Sequence, residues 1–225
     1  MNLNTIEKFL LLAKRPDKGG FAISDVHLSY GMVGAILLEM SLLDKIEVKD
    51  DRLVLKRSIG SGNPTIAEVE TVIAGSTKAR KVKYWVSKLA QRSRKYRWAC
   101  LAELENKNLI RIENRTFLGI IPYRRTYLTN SDVRDSLIRE LNSSILSGKE
   151  LSNEVIVVLG LVEACKMHKI IANNRQELRY IRKELKGIIR QSPIANAVDK
   201  TIKEVQAAVT GAIIASTVAA SSGNH

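Results

Sequence analysis

Apolar positions recur at helical spacing along most of the chain and give way to alternation at two places. Ile6, Phe9, Leu10 and Ala13 mark one face of a first helix, because residues three and four apart share a side. Asn4 and Glu7 make a capping box at its start, and Pro16 with Gly19 and Gly20 ends it. Residues 24–43 are apolar nearly all round, with Ser24 as N-cap and Asp25 in the first turn. A helix of that kind belongs in the core, and Gly31 and Gly34 would let neighbours approach it closely. Residues 46–56 alternate on either side of Lys49–Arg52 and predict a β-hairpin. After a loop from Ser58 to Pro64, Thr65 and Glu68 predict a second capping box, opening a helix to about residue 74.

The next stretch, residues 78–104, organises the rest. Val82, Trp85, Val86 and Leu89 keep helical time, and Tyr96, Cys100 and Leu104 continue at four-residue steps. Nine of the first twenty residues are Lys or Arg and none is acidic. One buried face and one strongly positive face follow. Arg94 and Arg97 lie three apart, so two guanidiniums project from one side, with paired donors suited to a phosphate. A charged run is also what a merely solvated face looks like.

Residues 109–121 predict a second hairpin, with its turn at Glu113-Asn114-Arg115 and with Phe117, Leu118, Ile120 and Ile121 on the returning strand. That strand is apolar on both faces, for burial within the fold or for a partner chain or membrane. The remainder is helical. One helix spans about 131–146, one 152–171, and one opens at an Asn174/Glu177 capping box. The last of these has Leu178, Ile181, Leu185 and Ile188 inside and Arg175, Arg179, Arg182, Lys183 and Lys186 outside. A final helix over about 196–219 closes the core, and residues 220–225 read as a frayed tail. The expected fold is mainly α: a single-domain helical bundle over 1–225, with surrounding amphipathic helices and two short β-hairpins.

Charge changes this picture most. At 225 residues the formal net charge is +13, which points to an anionic partner without choosing between nucleic acid, lipid and acidic protein. Cys100 and Cys165 form neither a metal signature nor a disulfide framework, and read as buried free thiols in a reducing compartment. His27, His168 and His225 are scattered. No catalytic constellation, metal site or cofactor motif is present in the sequence, so the expectation is a non-enzyme. The start of the chain lacks the order of a signal peptide. No segment is expected to reach the roughly 18–20 apolar residues of a membrane span; residues 205–220 read instead as a buried helix. The expected location is cytoplasmic, peripheral to a membrane.

The order of elements resembles the Golgi phosphoprotein 3 family. EKFLLLAKRPDKGGF followed by YGMVGAILLEMSLLDKI is similar to the family's opening, and LAELENKNLIRIENRTFLGIIPYRRTYLT to its helix, turn and apolar hairpin. The resemblance covers nearly the whole chain through order and spacing. It implies a mostly helical peripheral membrane protein that binds phosphatidylinositol 4-phosphate and holds the cytosolic tails of membrane proteins. The family's head-group site uses a Trp, a helix Arg, and two basic residues three apart. The last two match Arg94 and Arg97; the first two fall at Ser24 and Val33, which do not match. Neighbouring Lys81, Arg92 and Lys95 are candidates to compensate. The family hairpin, linked to self-association and membrane contact, is matched by Phe117, Leu118 and Ile120.

The resulting expectation is an adaptor for an anionic phospholipid or phosphoinositide membrane, with homo-oligomer contact through the 109–121 hairpin. The alternative is a winged-helix-like nucleic-acid binder reading with residues 92–107. An apolar wing and a scarcity of Asn and Gln on that helix count against nucleic acid.

Overall fold

Residues 2–56, 62–118, 120–147, 151–191 and 197–222 are described by a computed structural model. The fold is mainly α, and the core is built around the helix that is apolar on every side. That helix, α2 (Asp25–Leu42), starts at Ser24, whose Oγ accepts from the His27 N–H. Packed on it are α1 (Thr5–Ala13), α4 (Val82–Ala90), α5 (Ser93–Asn106), α7 (Asn153–Ala164) and α10 (Ala197–Ser222). The predicted close approaches occur. A Cβ on Gly31 would lie 2.4 Å from the Phe9 ring and 2.6 Å from the Cys165 sulfur, and one on Gly34 would lie 2.8 Å from Val209. Phe9 is rigid and fully enclosed, so Gly31→Ala should overpack the core by about 1–3 kcal/mol. A thermal melt several degrees lower is the expected readout.

The capping box at Asn4 and Glu7 is present. Glu7 is buried and also receives the Lys107 ammonium at 2.6 Å, tying α1 to the end of α5. The first hairpin pairs β1 (Ile46–Lys49) with β2 (Arg52–Leu55) antiparallel, and β3 (Arg80–Lys81) adds a short third strand.

Several sequence expectations are corrected. Helix α3 (Pro64–Ala74) is capped by Asn63, with Pro64 at its first position, and not by Thr65. A Pro there suits a turn whose N–H groups have no partner; Thr65 is buried instead, 3.4 Å from the Cys100 sulfur. The basic stretch is not one helix: α4 and α5 are separated at Gln91 and Arg92. The expected 152–171 helix likewise divides into α7 and α8 (His168–Ile171) around Lys166, whose φ is +55°. Helix α6 (Asp132–Ser147) matches its expected span, but its stop at Gly148 lies outside the described residues, as does most of the 58–64 loop. At the start of α9 (Arg175–Gln191), Asn174 caps Glu177 as expected, while Glu177 reaches back to the Asn173 N–H and not to that of Asn174.

The last helix departs most from expectation. Over Thr201–Ala220 it is long and apolar enough to cross a membrane, although only a third of it is buried in the fold. Val205, Val209 and Ile213 close the core, but Ile214 and Val218 are more than half exposed, and the helix continues through Ser222 where a frayed tail was expected.

Candidate functional site: a basic helix edge beside an apolar-tipped hairpin

The second hairpin is longer than its sequence suggests. β4 (Ile110–Phe117) pairs with β5 (Ile121–Leu128), Ile110 facing Leu128 and Phe117 facing Ile121. The turn therefore lies between Phe117 and Ile121, and Glu113-Asn114-Arg115 sits inside β4. Leu118, at φ +52°, occupies the left-handed region at that turn. Arg124 and Arg125 lie inside β5. The apolar residues that looked like a returning strand form the tip, where Leu118 is 79% and Ile120 82% exposed and Phe117 and Ile121 are exposed as well. Burial of both faces of this segment within the fold is thus overturned.

The hairpin base is held on three sides. Glu105 of α5 accepts the Ile112 N–H at 2.7 Å. The Lys14 ammonium, fully buried at the end of α1, donates to the carbonyl and hydroxyl of Thr126. Gly19 packs against the Tyr127 ring with no room for a Cβ, and Gly20, at φ +121°, turns the chain so that Lys14 and Phe21 pair. Burial pushes the Lys14 pKa down to about 8. The folded state therefore holds this proton more weakly than the unfolded chain. The cost of the buried charge is present in full below pH 8 and lifts between about pH 8 and 10.5. Urea unfolding should show stability gained over that window, a gain that Lys14→Met abolishes.

Side chains alternate along β5, so Leu128, Thr126 and Arg124 face the body of the protein together. Leu128 packs on the core, Thr126 receives Lys14, and the Arg124 guanidinium lies over the Trp98 ring at 5.4 Å. With Ile112 fixed at Glu105 and Arg124 at Trp98, the hairpin runs back along α5 toward that helix's first turn. Ile120, four residues beyond Arg124, then lies about 13 Å further out. The apolar tip and Arg94 are directed to the same end of the molecule.

The five basic residues proposed for a head group separate into three places. Arg94 and Arg97 share one edge of α5. Arg97 is largely buried, lies over the Phe21 ring at 5.7 Å, and meets Asp25 at 3.4 Å. Arg94 is exposed, and no carboxylate pairs with it among the described residues. Arg92 and Lys95 belong to the other edge, where Glu68 of α3 engages them at 3.9 and 2.8 Å. Lys81 is remote from both. It sits on β3, 3.9 Å from Asp51, in a cleft of about 230 Å³ that also contains Lys83 and Glu204. Neither unmatched family position supplies a substitute. Ser24 is spent on its cap and on the His27 Nδ1, and Val33 is fully buried. The exposed cations of α9 stand on a helix packed against α6, α7 and α8, whereas α5 packs on α1, α2 and α3.

Sequence reasoning missed Trp98, Arg124 and Phe21. A signal existed for Trp98, four residues after Arg94 on the same edge. Arg124 becomes visible only once the turn is placed between Phe117 and Ile121. Elsewhere, burial pushes the Cys100 and Cys165 thiols up to about 12, so both stay protonated at neutral pH. Among the described residues, no cluster of His, Cys, Asp and Glu has the makings of a metal site.

Fold and site together define a mainly helical protein whose second hairpin exposes an apolar tip. The model of the Golgi phosphoprotein 3 (GPP34) family matches residues 6–205, and the chain belongs to that family. No curated protein sequence matches it significantly.

Proposed function

We propose that the protein is a non-enzymatic adaptor at the cytoplasmic surface of a membrane, binding anionic head groups through Arg94 and Arg97 and seating its hairpin tip among the lipids. The observation that carries this reading is the common direction of the cationic edge and the apolar tip, held by a hairpin fixed at its base. A membrane surface offers the complement of both: negative charge outside and an apolar layer just beneath. Phosphatidylinositol 4-phosphate is the head group the family suggests; the cytosolic tails of membrane proteins and a second copy of the chain, meeting it at the hairpin, are further partners of this reading.

The test is sedimentation with vesicles of equal total charge, with and without phosphatidylinositol 4-phosphate, at two salt concentrations. Preference for the phosphoinositide is the expected result. Equal and salt-sensitive binding to both would make the protein a general anionic-surface adaptor. Failure to bind either at low salt would sink the proposal. The nucleic-acid reading has less support, because a wing meets phosphates with polar or basic residues and this tip is Phe117, Leu118, Ile120 and Ile121.

A further inference from the structure

Resting on that membrane reading, we propose that the exposed half of α10, residues 211–220, is a second lipid-contacting element, lying along the bilayer with its outer face against the acyl chains. Over Thr201–Ala220 the helix has the length and hydropathy of a membrane span, with only a third of it buried. Val205, Val209 and Ile213 keep its inner side in the core, so it rests on the bilayer and does not cross it. Its outer side is exposed at Ala207, Gly211, Ile214 and Val218, which recur at helical spacing and share one face. Residues 205–222 include no Asp, Glu, Lys or Arg, in a chain of which 26% is charged. A helix face turned to water ordinarily carries such residues.

The hydroxyls on this half separate lipid from a protein partner. Thr210 Oγ1 donates to the Gln206 carbonyl at 2.9 Å, Thr217 Oγ1 to that of Ile213 at 3.1 Å, and Ser216 Oγ to the Tyr30 hydroxyl at 3.0 Å. Each hydroxyl of residues 210–220 therefore has its partner within the chain, as the acyl layer requires. A protein interface draws on hydrogen bonds across the contact, and these donors are already committed. Thr201 receives the Val48 N–H just beyond the end of α2, Val209 packs on Gly34, and Ser216 meets Tyr30. α10 thus runs antiparallel to α2, and its exposed half continues toward the first turn of α2, where Asp25 meets Arg97. The gain from two half-exposed side chains, Ile214 and Val218, is smaller than the cost of association. α10 therefore adds to the seating that the arginines and the hairpin tip begin, and does not hold the protein at the membrane by itself.

A thiol label tests this contact in the full chain. Cys100 and Cys165 are buried, with thiols pushed up to about 12, so a maleimide bearing an environment-sensitive fluorophore reports on an introduced cysteine. Val218→Cys is compared with Lys49→Cys, next to Val48 and so beside the start of α10. Vesicles contain phosphatidylserine and phosphatidylinositol 4-phosphate, with and without a nitroxide on the acyl chain, and sedimentation is run in parallel. The label at position 218 should shift to the blue with vesicles and be quenched by the nitroxide; the label at position 49 should do neither. Ile214→Asn with Val218→Asn, which changes no charge, should weaken vesicle binding roughly tenfold and leave the thermal melt unchanged. An unmoved label at position 218, with sedimentation intact, overturns the α10 contact but not the membrane reading. A blue shift that appears without lipid and grows with protein concentration assigns the face to contact between copies and overturns the α10 contact as well. Absence of sedimentation with vesicles overturns both.

Discussion

Charge reversal of Arg94 and Arg97 together should release the protein from anionic vesicles. Each cation near an anionic surface contributes about 1 kcal/mol. Replacing two attractions by two repulsions therefore changes binding by about 4 kcal/mol, close to a thousandfold. The comparison that gives this number meaning is Arg92→Glu with Lys95→Glu, the same change in net charge on the α5 edge already engaged by Glu68. That pair should weaken binding much less. Equal loss from both pairs would show that diffuse charge, and not one edge of α5, does the binding. Arg97 also meets Asp25, so a thermal melt of the Arg94→Glu/Arg97→Glu protein must accompany the assay. Arg94→Ala with Arg97→Ala gives the milder version without like-charge repulsion.

Leu118→Asp with Ile120→Asp should abolish the part of vesicle binding that survives high salt. Burying a side chain of this size contributes about 1.5–3 kcal/mol, so the two together supply about 3–6 kcal/mol if the tip enters the apolar layer. Salt screens the contribution of the arginines and leaves this one. Because Leu118 and Ile120 are about four-fifths exposed, the substitutions should leave the melting temperature unchanged. Binding that remains salt-resistant in this variant would exclude insertion of the tip. A change in sedimentation coefficient without lipid would assign the tip to contact between copies.

The helical body could be read from sequence because its signals are local and repeated. Asn4 and Glu7, the all-apolar run of α2, and the Val82/Trp85/Val86/Leu89 stripe each fix an element by themselves, and each side chain of that stripe is buried. The errors arose where two local signals competed. Thr65 resembles a cap, but Pro64 before it has no N–H to offer and fits the first helical position, which moves the cap to Asn63. Glu113-Asn114-Arg115 has the polarity of a turn, whereas the actual turn is built from Leu118 and its neighbours and therefore looks like a strand. Polar residues within β4 engage one another along the strand, as where Arg111 and Arg115 both reach Glu113 at 2.6 Å. That Arg94 and Arg97 share one edge of a helix was legible from a three-residue spacing. The division of the basic face was not, because it depends on Glu68, Asp25 and Asp51, which arrive from three other elements.

The all-apolar surface of α2 has a consequence for how the chain is made. Its two sides are covered by elements at opposite ends of the sequence: Phe9 packs on Gly31, and Val209 packs on Gly34. During synthesis the first cover is already present when α2 leaves the ribosome, and the second is not. Translation from Leu42 to Val209 takes on the order of ten seconds. Throughout that interval the face that awaits α10 is an open apolar strip on a nascent chain, and closing it requires a loop spanning most of the protein, which slows the final step. Holding that strip apart from other nascent chains is a task for the chaperones that meet the chain at the ribosome, and ribosome-bound fragments ending before residue 200 should aggregate on release where the full chain does not.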